Sequence, residues 1–341
     1  MGSAMVNREI QLVSRPTGIP TLDNFRLVEA PIPEPVEGQV QVRLTHMSVD
    51  PYMRGRMSEA RSYVPPFRLG QVMSGGAVGF VTKSLAKELA AGTWVQSDEL
   101  GFREWGVTEP GKLNKISTDL APPSYFLGIL GMPGLTAWVG LFVIGQLQDN
   151  GEVVFISSAG GAVGTVVGQL AKLHGAKVIG SVGTPQKAAF LRDEFGFDAA
   201  FDYHDDTVKN LREAAPDGIT LYFDNVGGEQ LQAALGALRD FGRLVECGMI
   251  AQYNELVPGP VNLPNIVRKR LRMQGFIVSD HRDKAPAFVN EVGNALQAKK
   301  IRYHETIYDG IENAPKALID LFTAHPLGKV IVRVAPEGTQ P

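Results

Sequence analysis

From Gly128 onward the chain alternates apolar runs with amphipathic stretches. The runs "EVVFISS", "AKVIGSV", "TLYFDNV" and "GRLVECG" are separated by helix-period segments, which predicts a parallel sheet with helices on both faces. The earlier part of the chain has a different rhythm. There "QVQVRLTHMSV", "GGAVGFVTKS", "GTWVQSD" and "REWGVTE" are short β-type runs divided by Pro and Gly, the pattern of a compact all-β unit. The last segment, "APKALIDLFTAHPLGKVIVRV", has Ala317, Leu318, Leu321 and Phe322 at the spacing of a core-facing helix. A strand-like run over residues 329–334 follows a Pro-Leu-Gly break, and it can close either unit. No internal repeat or low-complexity tract is present.

Between the run at Glu152 to Ile156 and the helix-spaced Val163, Val166, Val167, Leu170 and Leu173 lies "SSAGGAVG". Ala159, Gly161 and Gly164 make an A-x-G-x-x-G variant of the dinucleotide fingerprint, in which small residues let the backbone turn sharply and approach a pyrophosphate at a helix N-terminus. On the glycines alone, the segment is either a phosphate cradle or a plain strand-to-helix connection. Strand, glycines, helix and a second strand follow in the required order within about 30 residues, which favours the cradle. That second strand ends in Gly180, Ser181, Val182, Gly183 and Thr184, without the carboxylate that would hold the ribose hydroxyls of NAD. Lys187 follows. A lysine there supplies a charge-assisted bond to a 2′-phosphate, so NADPH is expected over NADH; the alternative is a solvated lysine in the first turn of a helix.

Composition narrows the chemistry. The chain has 341 residues, 44% hydrophobic and 20% charged, which suits a soluble protein large enough for two domains. A formal charge of −3 and the lack of a basic run give no pull toward nucleic acid or an anionic membrane. The N-terminus lacks the apolar core of a signal peptide, and no apolar stretch reaches the roughly 20 residues needed to cross a bilayer, so a cytoplasmic protein is expected. The single cysteine, Cys247, excludes an internal disulfide. Together with six scattered histidines it offers no metal-ligand spacing, so no metal is expected; His46, the best placed, lies in a strand-like run.

Four stretches together resemble the zinc-independent medium-chain dehydrogenases/reductases, in the group of leukotriene B4 dehydrogenase/prostaglandin reductase, plant alkenal double-bond reductases and curcumin reductase. They are "SVDPYMRGRM", "GMPGLTAW", the glycine turn with "YFDNVGG", and "CGMIAQYN". The resemblance implies an α/β protein: a GroES-like, mainly-β catalytic domain over residues 1–126 joined by a C-terminal return at 301–341, and a Rossmann domain over 127–300 inserted between. It implies a cleft between the two where cofactor and substrate meet, and a homodimer. NADPH contacts carry over to Gly161, Ala162, Val163, Gly164 and Thr165 at the pyrophosphate turn, to Lys187 and Tyr203 near the adenosine phosphate, and to Asn225. They also carry over to Cys247, Gly248, Met249, Ile250, Ala251, Gln252 and Tyr253, and to Phe276, Ile277 and Val278 near the nicotinamide. One position departs from the family pattern: Pro326 stands where relatives usually have Asn before the final Leu/Ile-Gly-Lys, so a side-chain hydrogen bond to the cofactor is lost there, though the backbone carbonyl can still serve.

Without a Lewis acid, an isolated alcohol is a poor hydride partner and an electron-poor alkene a better one. In an enone or enal the β-carbon accepts hydride and charge develops on the carbonyl oxygen, which calls for a positioned donor. Tyr253 in "CGMIAQYN" and Tyr52 in "DPYMRG" are the candidates, Tyr253 for the enolate oxygen and Tyr52 for orienting the carbonyl or delivering a proton. The competing reading for each is a half-buried tyrosine capping a domain boundary. Met53, Tyr63, Phe67 and Met132 are candidate walls of an apolar slot for a small hydrophobic enone or enal, or else ordinary core. Arg54 and Arg56 either attract a substrate carboxylate or pair with Glu or Asp at a domain boundary. Cys247, closing an apolar strand, reads as a packing residue and not a nucleophile. The leading expectation is NADPH-dependent reduction of the carbon-carbon double bond of α,β-unsaturated carbonyls. The alternatives are a quinone reductase of the same superfamily and an NADPH-binding protein without turnover.

Overall fold

The structure, a computed structural model, describes residues 6–149, 151–324, 326–336 and 338–341. In chain order, strands β1 (Val6–Leu12) and β2 (Phe25–Pro31) pair antiparallel in a sheet of two. Strand β3 (Val40–Ser48) leads into the short helix α1 (Met53–Arg56), followed by β4 (Ala77–Ser84), β5 (Trp94–Ser97), β6 (Trp105–Thr108) and β7 (Asn114–Lys115). Helix α2 (Met132–Trp138) continues into a π-helical segment, Val139–Ile144. An alternation then runs through β8 (Val153–Ile156), α3 (Gly164–Leu173), β9 (Lys177–Val182), α4 (Pro185–Phe195), β10 (Ala199–Asp202), α5 (Thr207–Ala214), β11 (Ile219–Asp224), α6 (Gly228–Ala237) and β12 (Leu238–Glu246). Helix α7 (Pro264–Arg268), β13 (Arg272–Gly275), α8 (Ala285–Gln297), β14 (Glu305–Asp309), α9 (Ala314–Thr323) and β15 (Lys329–Arg333) complete the chain.

The chain divides into two compact units. One comprises Met1–Gly128, Glu305–Pro326 and Val330–Pro341; the other comprises Ile129–His304 with Leu327–Lys329. In the first, β3 is central: it pairs antiparallel with β4, β6 and β15, and its residues Val40, Val42, Leu44 and Met47 are buried. The C-terminal strand, which the sequence leaves open to either unit, is thus settled by its pairing of Ile331 with Ser48. Of the helical stripe before it, Ala317, Leu318 and Phe322 are buried in α9 and Leu321 is half-buried.

The second unit is a six-stranded, all-parallel sheet in the order β10-β9-β8-β11-β12-β13. Its inner strands are apolar along their length because helices cover both faces, and β8 is buried at every residue. Phe155 of β8 stacks on Tyr222 of β11 at 5.0 Å and on Phe201 of β10 at 5.9 Å, which ties three strands into one core. Local signals fix the helix ends. The Thr184 hydroxyl caps α4 by accepting from the Lys187 amide, Pro185 opens the first turn, and Gly196 ends the helix at φ +69°. Of the α3 stripe, Val166, Val167 and Leu170 are fully buried, whereas Leu173 at the last turn is 44% exposed.

An ion-pair clamp ties α3 to α8 within this unit. His174 contacts Asp149 through Nδ1 at 2.8 Å and Glu291 through Nε2 at 3.0 Å, and Glu291 also accepts from the Trp138 indole at 2.7 Å. Burial works against the charged imidazole, but hydrogen bonds to the two carboxylates outweigh it and raise its pKa above the ordinary 6.5. A raised folded value means that the clamp stabilises fully below pH 6.5 and loses its effect as pH climbs through the folded pKa. His174→Ala should therefore lower Tm more at pH 6 than at pH 9; an equal loss at both would show that the imidazole acts uncharged.

Candidate dinucleotide site

In an open parallel sheet, ligands bind beyond the carboxyl ends of the strands where the order reverses. Here the reversal lies between β8 and β11. The glycine turn follows β8, "DNVGG" follows β11 and "CGMIAQYN" follows β12, so three sequence motifs far apart along the chain share one edge of three adjacent strands. The other cofactor candidates fall on the same edge: Lys187 beyond β9, Tyr203 directly after β10, and Phe276, Ile277 and Val278 after β13.

The glycine turn is dictated by close approach. Ser158 is in the left-handed region at φ +48°, and a Cβ on Gly164 would lie 2.6 Å from the Ser158 carbonyl oxygen and 2.7 Å from the Ala159 Cα. Ala159 in turn nests on Gly180 of β9, where an added Cβ would be 2.7 Å from the Ala159 methyl. The Thr165 amide and hydroxyl both donate back to the Gly161 carbonyl, leaving Ala162, Val163 and Gly164 at the head of α3, where a helix presents its unpaired amides. Gly328 closes the turn from the far end of the chain: its amide donates to the Gly160 carbonyl at 2.7 Å, and its φ of +69° places it against His304. These are the features of a backbone cradle. Gly164→Ala must push the turn out of shape, and the expected cost is about 1–3 kcal/mol of stability, read as a lowered Tm, with NADPH affinity falling alongside. Unchanged melting and binding would show that the turn tolerates a side chain.

The two neighbouring turns are stitched to it. The Ser157 hydroxyl donates to Asp224 Oδ1 at 2.8 Å and accepts from the Asn225 amide at 2.8 Å, while the Asn225 side-chain amide donates to the Ser157 carbonyl. Asp224 Oδ1 also accepts from the Val226 and Gly227 amides and from the Tyr222 hydroxyl. Cys247 and Gly248 donate to the Asp224 carbonyl, Ile250 to that of Asn225 and Ala251 to that of Val226. The Met249 side chain packs on Gly227, and the Tyr253 hydroxyl lies over Gly248, 3.3 Å from where a Cβ would stand. Burial, and then the charges of Asp224 and Glu246, push the Cys247 thiol up to about 12, so it stays protonated and unreactive. Gln252 is exposed, with its amide donating to the Val257 carbonyl.

Beyond β9 and β10, Tyr203 stands beside Gly183, with its Cε1 3.3 Å from a notional Cβ there, and its ring packs on His204 at 4.2 Å. Burial lowers the Lys187 pKa while Asp202 raises it, and burial followed by Asp202 raises that of Tyr203. Sequence reading missed Asp202 and His204. No carboxylate closes β9, but Asp202 closes the neighbouring β10 and is held by the His204 amide and imidazole. Lysine, phenol and imidazole around a polar corner fit a 2′-phosphate, and the Gly164 cradle fits a pyrophosphate.

The candidates in the other unit are placed as follows. Tyr52 precedes α1; burial, and then the Asp50 carboxylate, hold its phenol well above the usual range, so it remains a donor at every physiological pH. Met53 is fully buried with its Cε over Gly75, and Phe67 is 3% exposed beneath the Arg56 guanidinium at 4.1 Å. Tyr63 is 59% exposed, and Met132, which lies in the Rossmann unit, is 37% exposed. Arg54 donates to the Gly18 carbonyl, and Arg56 donates to the Pro65 and Ser74 carbonyls and to the Ser74 hydroxyl. The Arg56 contacts tie residues 65 and 74 to α1. His46 lies within β3, its pKa lowered to about 4 by burial and then by Arg333.

Known proteins share sequence and fold with this chain. Residues 8–116 match the family described as the N-terminal domain of oxidoreductases, and residues 162–294 match the family described as zinc-binding dehydrogenase. Among the described residues no group of three or more His, Cys, Asp or Glu could hold a metal ion. The chain is 42% identical over 337 residues to the NADPH-dependent curcumin reductase of Escherichia coli (strain K12), covering 96% of this chain and 97% of that protein. It is 38% identical over 346 residues to the NADP(+)-dependent 2-alkenal reductase of Nicotiana tabacum, covering 99% of this chain and all of that protein, 100%. The crystal structure of CurA in complex with NADPH from Vibrio vulnificus superposes with a TM-score of 0.91 at 38% identity over 96% of this chain and 99% of that one. No helix among the described residues is long and apolar enough to cross a membrane. The chain therefore belongs to the zinc-independent medium-chain dehydrogenases/reductases, among their NADP-dependent oxidoreductases.

Proposed function

We propose that the protein reduces the carbon-carbon double bond of α,β-unsaturated ketones and aldehydes with NADPH. The observation that carries this reading is the convergence of the glycine turn, "DNVGG" and "CGMIAQYN" at the carboxyl ends of β8, β11 and β12, with a phenol at the end of the third. Relatives at about this likeness act on curcumin and 2-alkenals by name, both electron-poor alkenes conjugated to a carbonyl. NADPH supplies the hydride. The chain supplies the cradle for the pyrophosphate through the head of α3, and Lys187 and Tyr203 for the 2′-phosphate.

Tyr253 hydrogen-bonds the carbonyl oxygen as it gains charge, because a neutral phenol donates without having to ionise. Tyr52 is a second candidate donor, and burial followed by the Asp50 charge keeps its phenol protonated throughout the working range. The substrates are small, hydrophobic enones and enals. The test follows nicotinamide absorbance with trans-2-alkenals, benzalacetone and a simple quinone. Turnover of the first two well above the quinone supports alkene reduction; preference for the quinone reassigns the enzyme, and slow turnover across the whole panel points to a binding protein.

A further inference from the structure

Asp224 and Glu246 are the last residues of two adjacent parallel strands and are register partners, so their side chains emerge side by side at the edge where the dinucleotide turns begin. Asp224 is fully buried. Its Oδ1 collects four donors, from Ser157, Tyr222, Val226 and Gly227, and its Oδ2 has none among the described residues. Both carboxyl oxygens of Glu246 are also buried without a donor among the described residues. If both groups were ionised, three buried carboxylate oxygens would face one another's charge unpaired, which burial penalises. A single proton removes the problem, because it makes one carboxyl a donor to the other.

We propose that Glu246 and Asp224 share one proton through Asp224 Oδ2, and that this proton holds the turns at 225–228 and 247–253 in place, making Glu246 a positioning residue for the cofactor. The proton resides on Glu246, since Asp224 already has four donors that favour its charge and Glu246 has none. Burial, followed by the charge of Asp224 and the hydrogen bond to it, raises Glu246 to about 8, in agreement with that assignment. The other groups facing Glu246 offer no relief. Tyr222 of β11 and the adjacent Cys247 are both held in their neutral forms, and Gly275, its partner on β13, has no side chain. Asp224 anchors the Val226 and Gly227 amides and, through its carbonyl, Cys247 and Gly248. Loss of the shared proton sets two like charges at that anchor and loosens the turns that carry Asn225, Met249 and Tyr253.

That these turns hold NADPH rests on the proposed function; the shared proton does not. The test measures NADPH affinity of the full chain by fluorescence or calorimetry from pH 6.5 to pH 9.5, for wild type and Glu246→Gln. Gln keeps the shape and donates to Asp224 without titrating. The wild-type Kd should rise about tenfold from pH 7 to pH 9, while Glu246→Gln binds like wild type at pH 7 and stays nearly flat. Parallel slopes in the two proteins would overturn the positioning role. On the protein without cofactor, infrared spectra at pH 7 should contain a protonated-carboxyl band that Glu246→Gln removes. A carboxyl raised on folding loses stability as pH rises from the ordinary carboxyl range toward the folded value, so the wild-type Tm should fall relative to that of Glu246→Gln between pH 5 and pH 8. A band and a Tm difference insensitive to Glu246→Gln would overturn the shared proton. If NADPH binds at no pH, the cofactor reading and with it the positioning role fail, and the infrared and melting data alone decide the proton.

Discussion

Tyr253→Phe should lower kcat on an enone by roughly 10²–10³, equivalent to about 2.7–4 kcal/mol, with little change in NADPH affinity. That range is what removal of one preorganised donor costs when charge develops on the oxygen it faces. The phenol is well braced for such a role: the Tyr253 amide donates to the Ile250 carbonyl, Ile250 and Ala251 are tied to Asn225 and Val226, and Gly248 leaves room for the hydroxyl. A positioned donor costs no reorganisation when the charge forms, so its loss should fall on kcat more than on KM. The kcat and KM of the variant with benzalacetone check this, and a variant that keeps full kcat ends the catalytic role.

Lys187→Ala should raise the KM for NADPH roughly ten- to a hundredfold while leaving that for NADH nearly unchanged, since a charge-assisted bond to a phosphate is worth about 1.5–3 kcal/mol. Asp202 sharpens the expectation, because its charge acts on Lys187 and would remain beside the 2′-phosphate once the lysine is gone. The ratio of the two KM values, measured in one buffer at fixed ionic strength, reads the effect, for salt screens a half-exposed pair. Equal and unaltered KM values would place Lys187 outside the site.

The strongly patterned parts of this fold were legible in the sequence. Strands β8, β9, β11 and β12 stand out as apolar runs because both faces of a parallel sheet are covered, and the Thr-Pro start and Gly end of α4 follow from capping chemistry. Strands β10 and β13 escaped because each has four residues, sits at a sheet edge and is only partly buried, so "AAFD" and "RMQG" show no period to read. Met53 and Phe67 sit in a stretch whose only helix is four residues long, too short for periodicity to separate core from surface. The acids that end "TLYFD" and "GRLVE" were visible as residues, but their pairing was not. It depends on β11 and β12 lying side by side in register, which the crossover through α6 sets and no local rule states. Sequence motifs thus indicated which residues lie at the carboxyl edge of the sheet, and strand order shows what holds them in position.

On the proposed function, hydride passes from NADPH to the carbon β to a conjugated carbonyl at this strand edge. Incubating the enzyme with benzalacetone and NADPH deuterated at the nicotinamide C4, then locating the label in the product by NMR, tests it directly. Deuterium on the β-carbon of a saturated ketone is the predicted result; deuterium on a carbinol carbon, with the double bond intact, would contradict it.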